Sequence, residues 1–156
     1  MTHTTDLKDV VIRCAVKDDC AAMMDLIKEL AVYEKAPDEV TVTMEHFIDC
    51  GFGANPVWWA FVAEVGGKVV AFALYYIRYS TWKGTRMYLE DIIVHEPYRC
   101  HGLGSMLMDA LIAEAKMKQF NGISWQVLDW NTPAIKFYER YKVKFDGEWI
   151  NVMYNF

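Results

Sequence analysis

The spacing of apolar positions changes several times along this chain, and each change marks an element. Val10–Val16 is a short run rich in β-branched residues. Ala22, Leu26, Ile27, Leu30 and Tyr33 then recur at helical spacing. They predict a helix capped by Asp18 or Asp19 and stopped by Pro37. Thr43 predicts the cap of a shorter helix through Cys50, closed by Gly51-Phe-Gly53. Pro56 opens a strand over Val57–Val65, Gly66-Gly67 is a hairpin turn, and Lys68–Tyr79 returns beside it. Lys83-Gly84 turns the chain into a third strand, Arg86–His95. Leu103, Leu107, Ala110 and Leu111 give one face of a helix that Asn121-Gly122 ends. Ile123–Leu128 is a strand, and Thr132-Pro133 starts a helix striped by Ala134, Phe137, Tyr138 and Tyr141. A last strand covers Glu148–Tyr154.

This order predicts a mixed sheet with helices on both faces. The hairpins require antiparallel pairing on one side. The strand–helix–strand unit from Arg86 to Leu128 requires a parallel, right-handed crossover on the other. With no repeat, linker or low-complexity tract, residues 1–156 read as a single domain.

Composition narrows the class. A hydrophobic fraction of 54% with 15% aromatics excludes a disordered or fibrous chain. The net charge of −5 argues against nucleic acid and for a cationic or neutral partner. No apolar run reaches the ~20 residues of a membrane span, and the polar start carries no signal-peptide pattern. Cys14, Cys20, Cys50 and Cys100 lack metal or redox spacing and read as reduced thiols of a cytoplasmic protein. His46, His95 and His101 share no ligand spacing, so no metal is assigned.

Two features carry candidate chemistry. Glu90 and Asp91 lie inside the third strand, where carboxylates are rare and costly to bury. On a regular strand they face opposite sides, so only one enters a given pocket unless a bulge intervenes. An ion pair or a place on the sheet rim would account for either alone. The second feature is Arg99-x-x-Gly102-x-Gly104, a strand-to-helix turn. Free N–H groups, absent Cβ atoms and a helix N-terminus suit a diphosphate. It is neither a dinucleotide fingerprint, since position 107 is Leu, nor a P-loop. Tyr138 by itself reads as a core tyrosine, and Trp82, in a polar turn, is placed to stack on a cation.

Arg99-Cys-His-Gly-Leu-Gly104 resembles the acetyl-CoA loop of the GCN5-related N-acetyltransferase (GNAT) superfamily. Leu26–Glu34, Gly51-Phe-Gly53, Val62–Val65, Tyr88-Leu-Glu-Asp91, Trp130-Asn131 and Phe137-Tyr138 are similar to the spermidine/spermine N-acetyltransferases and their thialysine-acetylating relatives. The resemblance implies an α/β GNAT fold: a mostly antiparallel sheet of six to seven strands, splayed at a central parallel pair. It implies acetyl-CoA as cosubstrate, a small-molecule amine as acceptor, and a homodimer.

Site residues follow from the same resemblance. Cys100, His101, Gly102, Leu103, Gly104 and Ser105 would hold the pyrophosphate, with Arg99. The backbone of Ile92, Ile93 and Val94 would pair with the pantetheine arm. Asn131, Thr132, Pro133 and Ala134 would touch the cofactor. Tyr138 would be the proton donor and Glu90 the substrate carboxylate linked to amine deprotonation. Asp91, Tyr33, Glu34, Trp82, Ser124, Trp125, Gln126 and Glu148 would line the amine site. An alkyl amine with a pKa near ~10 is mostly protonated at neutral pH and must lose a proton before it attacks a thioester.

Ser80-Thr-Trp82-Lys-Gly84 and Val127-Leu-Asp-Trp-Asn131 resemble the thialysine branch more than the polyamine branch. Phe145-Asp-Gly-Glu-Trp149 is shorter than the family's segment. The favoured acceptor is therefore a thialysine-like amino acid, with diamines and polyamines as the alternative. A non-catalytic CoA- or polyamine-binding module and a protein-lysine acetyltransferase are the competing readings.

Overall fold

A computed structural model describes residues 3–156. The chain divides into two compact units, the first ending at Trp125 and the second spanning Gln126–Phe156.

The first unit is built on a five-stranded sheet in the order β1-β2-β3-β4-β5. The strands are β1 (Val10–Cys14), β2 (Trp59–Val65), β3 (Lys68–Ser80), β4 (Gly84–Val94) and β5 (Ile123–Ser124). The first three pairings are antiparallel and β4–β5 is parallel. Gly66 and Gly67, at φ +56° and +83°, make the primed turn that a two-residue hairpin needs. The predicted mixed sheet is thus present, with five strands rather than six to seven.

One face carries α1 (Cys20–Tyr33) and α2 (Met44–Phe52). Cys20, Met23, Met24 and Leu26 of α1 and Phe47 of α2 pack on Val62, Phe72, Leu74 and Ile93. α3 (Leu103–Met117) packs on the sheet through the buried Leu103, Leu107, Met108 and Leu111. Tyr75, next to Leu74 and so on the opposite face, donates its hydroxyl to Glu114 of α3 at 3.1 Å.

The predicted caps are partly rearranged. Thr43 caps α2, its hydroxyl accepting from the His46 N–H at 3.2 Å. Asp19 precedes α1 but does not cap it with its side chain. Its carboxylate instead takes two donors of Arg13, at 2.7 and 2.9 Å, and the Val16 N–H. The Arg13 guanidinium holds Asp19 below the usual carboxylate range. A charged fork outcompetes a single cap bond here.

The second unit contains α4 (Thr132–Glu139), whose cap is Asn131 rather than Thr132: the Asn131 side chain accepts from the Ala134 N–H at 3.4 Å. The predicted strand Glu148–Tyr154 is not part of the sheet. Strand structure exists through its ladder, and these residues pair with none. Trp149, Ile150, Val152, Met153, Tyr154 and Phe156 are exposed. Of the predicted Ile123–Leu128 strand, only Ile123 and Ser124 pair, for the same reason.

Candidate active site

The β3–β4 ladder is regular from Ser80↔Gly84 to Tyr75↔Leu89, and then skips a residue. Leu74 faces Asp91, so Glu90 has no partner and forms a β-bulge. The consequence is geometric. Tyr88 and Glu90 share one face by alternation, and Asp91 would ordinarily lie on the other. The extra residue moves Asp91 onto the face of its partner Leu74, which is the α1 face. Both carboxylates therefore serve one side of the sheet.

Their environments differ. Glu90 is exposed, while Asp91 is partly buried. Burial first, then the charges of Glu90 and Glu34, push Asp91 up to about 7. Glu34, just past the end of α1, is itself raised by burial. Tyr76 and Tyr88, opposite each other in the ladder with rings 4.9 Å apart, form the floor beside Glu90. Burial and then the Glu90 charge raise both phenols. The site thus has an exposed outer carboxylate, an inner one whose pKa burial raises to about 7, and an aromatic floor.

The β4 edge beyond this point is open on the β5 side. β5 reaches only Met87↔Ile123 and Tyr88↔Ser124, so the ladder stops before Ile92, Ile93 and Val94. The Ser124 hydroxyl, where the two strands part, is buried with no hydrogen-bond partner. A buried orphan hydroxyl is costly and marks a place where a ligand group can bond.

Next, the chain turns through Glu96–Tyr98 into the glycine loop. Cys100 and Gly102 have φ of +65° and +86°, and α3 begins at Leu103. No side chain caps this helix. By helix geometry the N–H groups of Leu103, Gly104 and Ser105 have no partner within it. A Cβ at Gly102 would stand 2.5 Å from the Thr4 carbonyl oxygen, so glycine is required there. His101 pairs with Asp6 at 2.8 Å.

Arg99 is committed inward. Its Nε donates to the Val94 carbonyl at 2.9 Å and its Nη2 to Glu29 of α1 at 3.3 Å. Its guanidinium lies 5.5 Å from the centre of the Tyr33 ring. The same Glu29 carboxylate pairs with His95 Nδ1 at 2.7 Å and accepts from the Glu96 N–H at 3.0 Å. Arg99 and Glu29 therefore brace the loop against α1.

The structure brings together Glu34, Glu90 and Asp91 beside the aromatic floor, while Tyr33 meets Arg99. Trp82, 88% exposed, lies in the β3–β4 turn at the far end of that face. Trp125 closes the first unit. In the second unit, Asn131, Thr132, Pro133 and Ala134 form the start of α4, and the buried Tyr138 meets Phe137 edge to face at 5.3 Å. Gln126 donates to Asn151 at 2.8 Å, and the Glu148 N–H to Asp146 at 3.1 Å. The sequence pattern assigns none of Arg78, Tyr76, Tyr88 and Glu29 to the site. Alternation along β3 gives Arg78 and Tyr76 a common face, but only the bulge shows which face holds the carboxylates.

The model of the acetyltransferase (GNAT) family matches residues 21–142. The chain belongs to the GNAT family of acetyltransferases. It is 41% identical to the thialysine N-epsilon-acetyltransferase of Bos taurus over 138 residues, covering 83% of this chain and 81% of that one. It is 36% identical to spermidine/spermine N(1)-acetyltransferase-like protein 1 of Homo sapiens, over 81% of this chain and 19% of the relative. A crystal structure of a soil-metagenome aminoglycoside acetyltransferase in complex with trehalose shares the fold, with a TM-score of 0.77 at 19% identity over 94% and 96% of the chains. As an N-acetyltransferase of this family it uses acetyl-CoA. The residues present fit that cosubstrate: an uncapped helix start behind a Cβ-free turn for the diphosphate, and an unpaired strand edge for the arm. Among the described residues no group of His, Cys, Asp and Glu could hold a metal ion, and no helix is long and apolar enough to cross a membrane.

Proposed function

We propose that this GNAT enzyme acetylates the primary amine of a small molecule, with a thialysine-like amino acid as its favoured acceptor. The bulge that turns Glu90 and Asp91 onto one face carries this reading. Two carboxylates there, with Glu34 beside them, suit an alkylammonium group that must be held and then deprotonated.

Each residue has a part in this reading. Glu90, exposed beside the aromatic floor, meets the ammonium first. The resemblance gives amine deprotonation to Glu90; we assign it instead to Asp91, on the same face, whose pKa of about 7 suits it to take the proton at neutral pH, directly or through water. Acetyl-CoA supplies the activated acyl group as a thioester. Backbone N–H groups of Cys100–Ser105 hold its diphosphate, Arg99 braces that loop, and Ile92–Val94 guide its arm. Asn131, Thr132, Pro133 and Ala134 give a further cofactor surface. Tyr138 returns a proton to the sulfur as the C–N bond forms and the C–S bond breaks. Tyr33, Trp82, Ser124, Trp125, Gln126 and Glu148 line the amine site.

The name of the Bos taurus relative supports the amino acid, and that of the human relative supports diamines and polyamines as the second reading. The family match runs across both units, which supports one acetyltransferase domain over 1–156. The exposed apolar residues at 149–156 support a homodimer that covers them. The net charge of −5 speaks against nucleic acid, and four free cysteines suit the cytoplasm. The test is thiol release from acetyl-CoA with thialysine, lysine, putrescine, spermidine and spermine. Release is expected with thialysine first; release with none of them overturns the reading.

A further inference from the structure

Two residues before the Tyr76–Tyr88 pair on β4, and two after it on β3, the ladder sets Arg78 opposite Arg86. Like charges directly opposite in a sheet repel. Arg86 is relieved: it donates to the Asn121 side chain at 2.9 Å and the Ile123 carbonyl at 3.3 Å. Arg78 is not. Among the described residues no carboxylate lies within ion-pair distance of it. It is exposed, and its guanidinium lies 5.8 Å from the centre of the Tyr88 ring.

By alternation Arg78 shares the face of Leu74 and Tyr76, which is the face the bulge gives to Glu90 and Asp91. Four residues of β4, ~13 Å, separate Glu90 from Arg78's partner Arg86. The Arg78 side chain closes part of that span by leaning over Tyr88. Burial is the main influence on Tyr76 and Tyr88, but both also feel the Glu90 charge and, with opposite sign, Arg78. One end of this aromatic floor is therefore anionic and the other cationic.

We propose that Arg78 is a specificity residue that binds the carboxylate of an ω-amino acid whose distal amine lies at Glu90 and Asp91. The inference rests on the amine-acetylation reading above and selects its substrate class. A fork of N–H donors matches a carboxylate. A polyamine places a second ammonium where Arg78 repels it. Tyr88 keeps the guanidinium aligned over the floor.

The test compares thialysine with its decarboxylated counterpart, bis(2-aminoethyl) sulfide, and lysine with cadaverine. Within each pair only the carboxylate differs. The parent protein should prefer the amino acid in kcat/KM. Arg78→Met should lower that preference ratio by on the order of tenfold or more, mainly through the KM of the amino acid. Arg78→Lys, which keeps the charge but loses the fork, should fall between the two. A parent that prefers the diamine, or an Arg78→Met ratio within about twofold of the parent's, overturns the inference while leaving the acetyltransferase reading intact. A parent that acetylates neither member of either pair overturns both.

Discussion

The carboxylate of Glu29, in the middle of α1, reaches the guanidinium of Arg99 at 3.3 Å. Through Arg99 it is tied to the carbonyl of Val94, the last residue of β4, and through its other oxygen to His95. Helix, strand end and cofactor loop thus meet at one carboxylate. The arginine of the glycine motif works here as a brace, and in the proposed cofactor site the positive charge would come from the helix start.

Glu29→Gln should therefore raise the KM for acetyl-CoA more than it lowers kcat. The glutamine still accepts from the Glu96 N–H but loses the charge that holds Arg99. A rise on the order of tenfold is expected, since hydrogen bonds to charged groups contribute about 1.5–3 kcal/mol each. Arg99→Lys should act in the same direction, and the double variant should fall short of the sum because the two share one interaction. Steady-state kinetics with varied acetyl-CoA checks this. A fall in kcat with unchanged KM would refute the brace.

Asp91 sets opposite demands on stability and on activity. Its folded pKa of about 7 stands above the ordinary 3.8, because burial and two neighbouring carboxylates disfavour its charge. The stability this group contributes is full below its ordinary pKa and is lost as the pH rises through about 7. Deprotonation of the amine needs the ionised form, so kcat/KM should rise with pH and level off above about 7. Asp91→Asn should abolish that rise and lower kcat/KM by about 10²- to 10⁴-fold. It should also melt higher than the parent at pH 8 while matching it at low pH. Glu90→Gln should instead raise the KM for the amine and keep the pH rise. Loss of the rise in Glu90→Gln alone would return the proton to Glu90.

Gly102 couples loop shape to the chain that lies against it. At φ +86°, with a Cβ position 2.5 Å from the Thr4 carbonyl, alanine meets both backbone strain and a steric clash. Gly102→Ala should cost about 1–2 kcal/mol or more. For a chain of this size that lowers Tm by about 2–8 °C. It should also weaken acetyl-CoA binding, because the turn that presents the N–H groups cannot be kept. Thermal melting with and without acetyl-CoA measures both effects. Gly67→Ala is the control: φ is +83° but nothing lies within 4 Å, so strain acts there without the clash or the cofactor effect.

Periodicity together with cap and turn residues located α1 to α4 and the β2–β3–β4 meander, because those elements bury apolar stripes between recognisable ends. It overextended β5 and added a strand at Glu148–Tyr154, because alternation reports a chain able to pair and says nothing about whether a neighbour is present. The glycine loop was legible through Gly102, where a positive φ and the close Thr4 carbonyl admit no other residue, whereas Cys100 takes a positive φ without any sequence signal. The bulge at Glu90 was not, since it arises from the β3 register and no residue in Leu89-Glu-Asp91 signals it. That hidden register decides that Asp91 lies with Glu90 on one side, the face that alternation along β3 gives to Arg78. Glu29 was invisible for a related reason: its partners are 66 to 70 residues away.

Tyr138 provides the sharpest test of catalysis against simple binding. The phenol lies on the apolar stripe of α4, buried, with Phe137 against its ring. A packing role would need the ring and tolerate loss of the hydroxyl. A proton donor to the leaving thiolate needs the hydroxyl itself. Tyr138→Phe keeps the ring, so it should leave the acetyl-CoA dissociation constant within about threefold while kcat falls by about 10²-fold or more. The loss should be smaller with an acyl donor whose thiol is more acidic, because a better leaving group depends less on protonation. Equal losses in binding and turnover would make Tyr138 a structural residue, and no loss in either would remove it from the reaction.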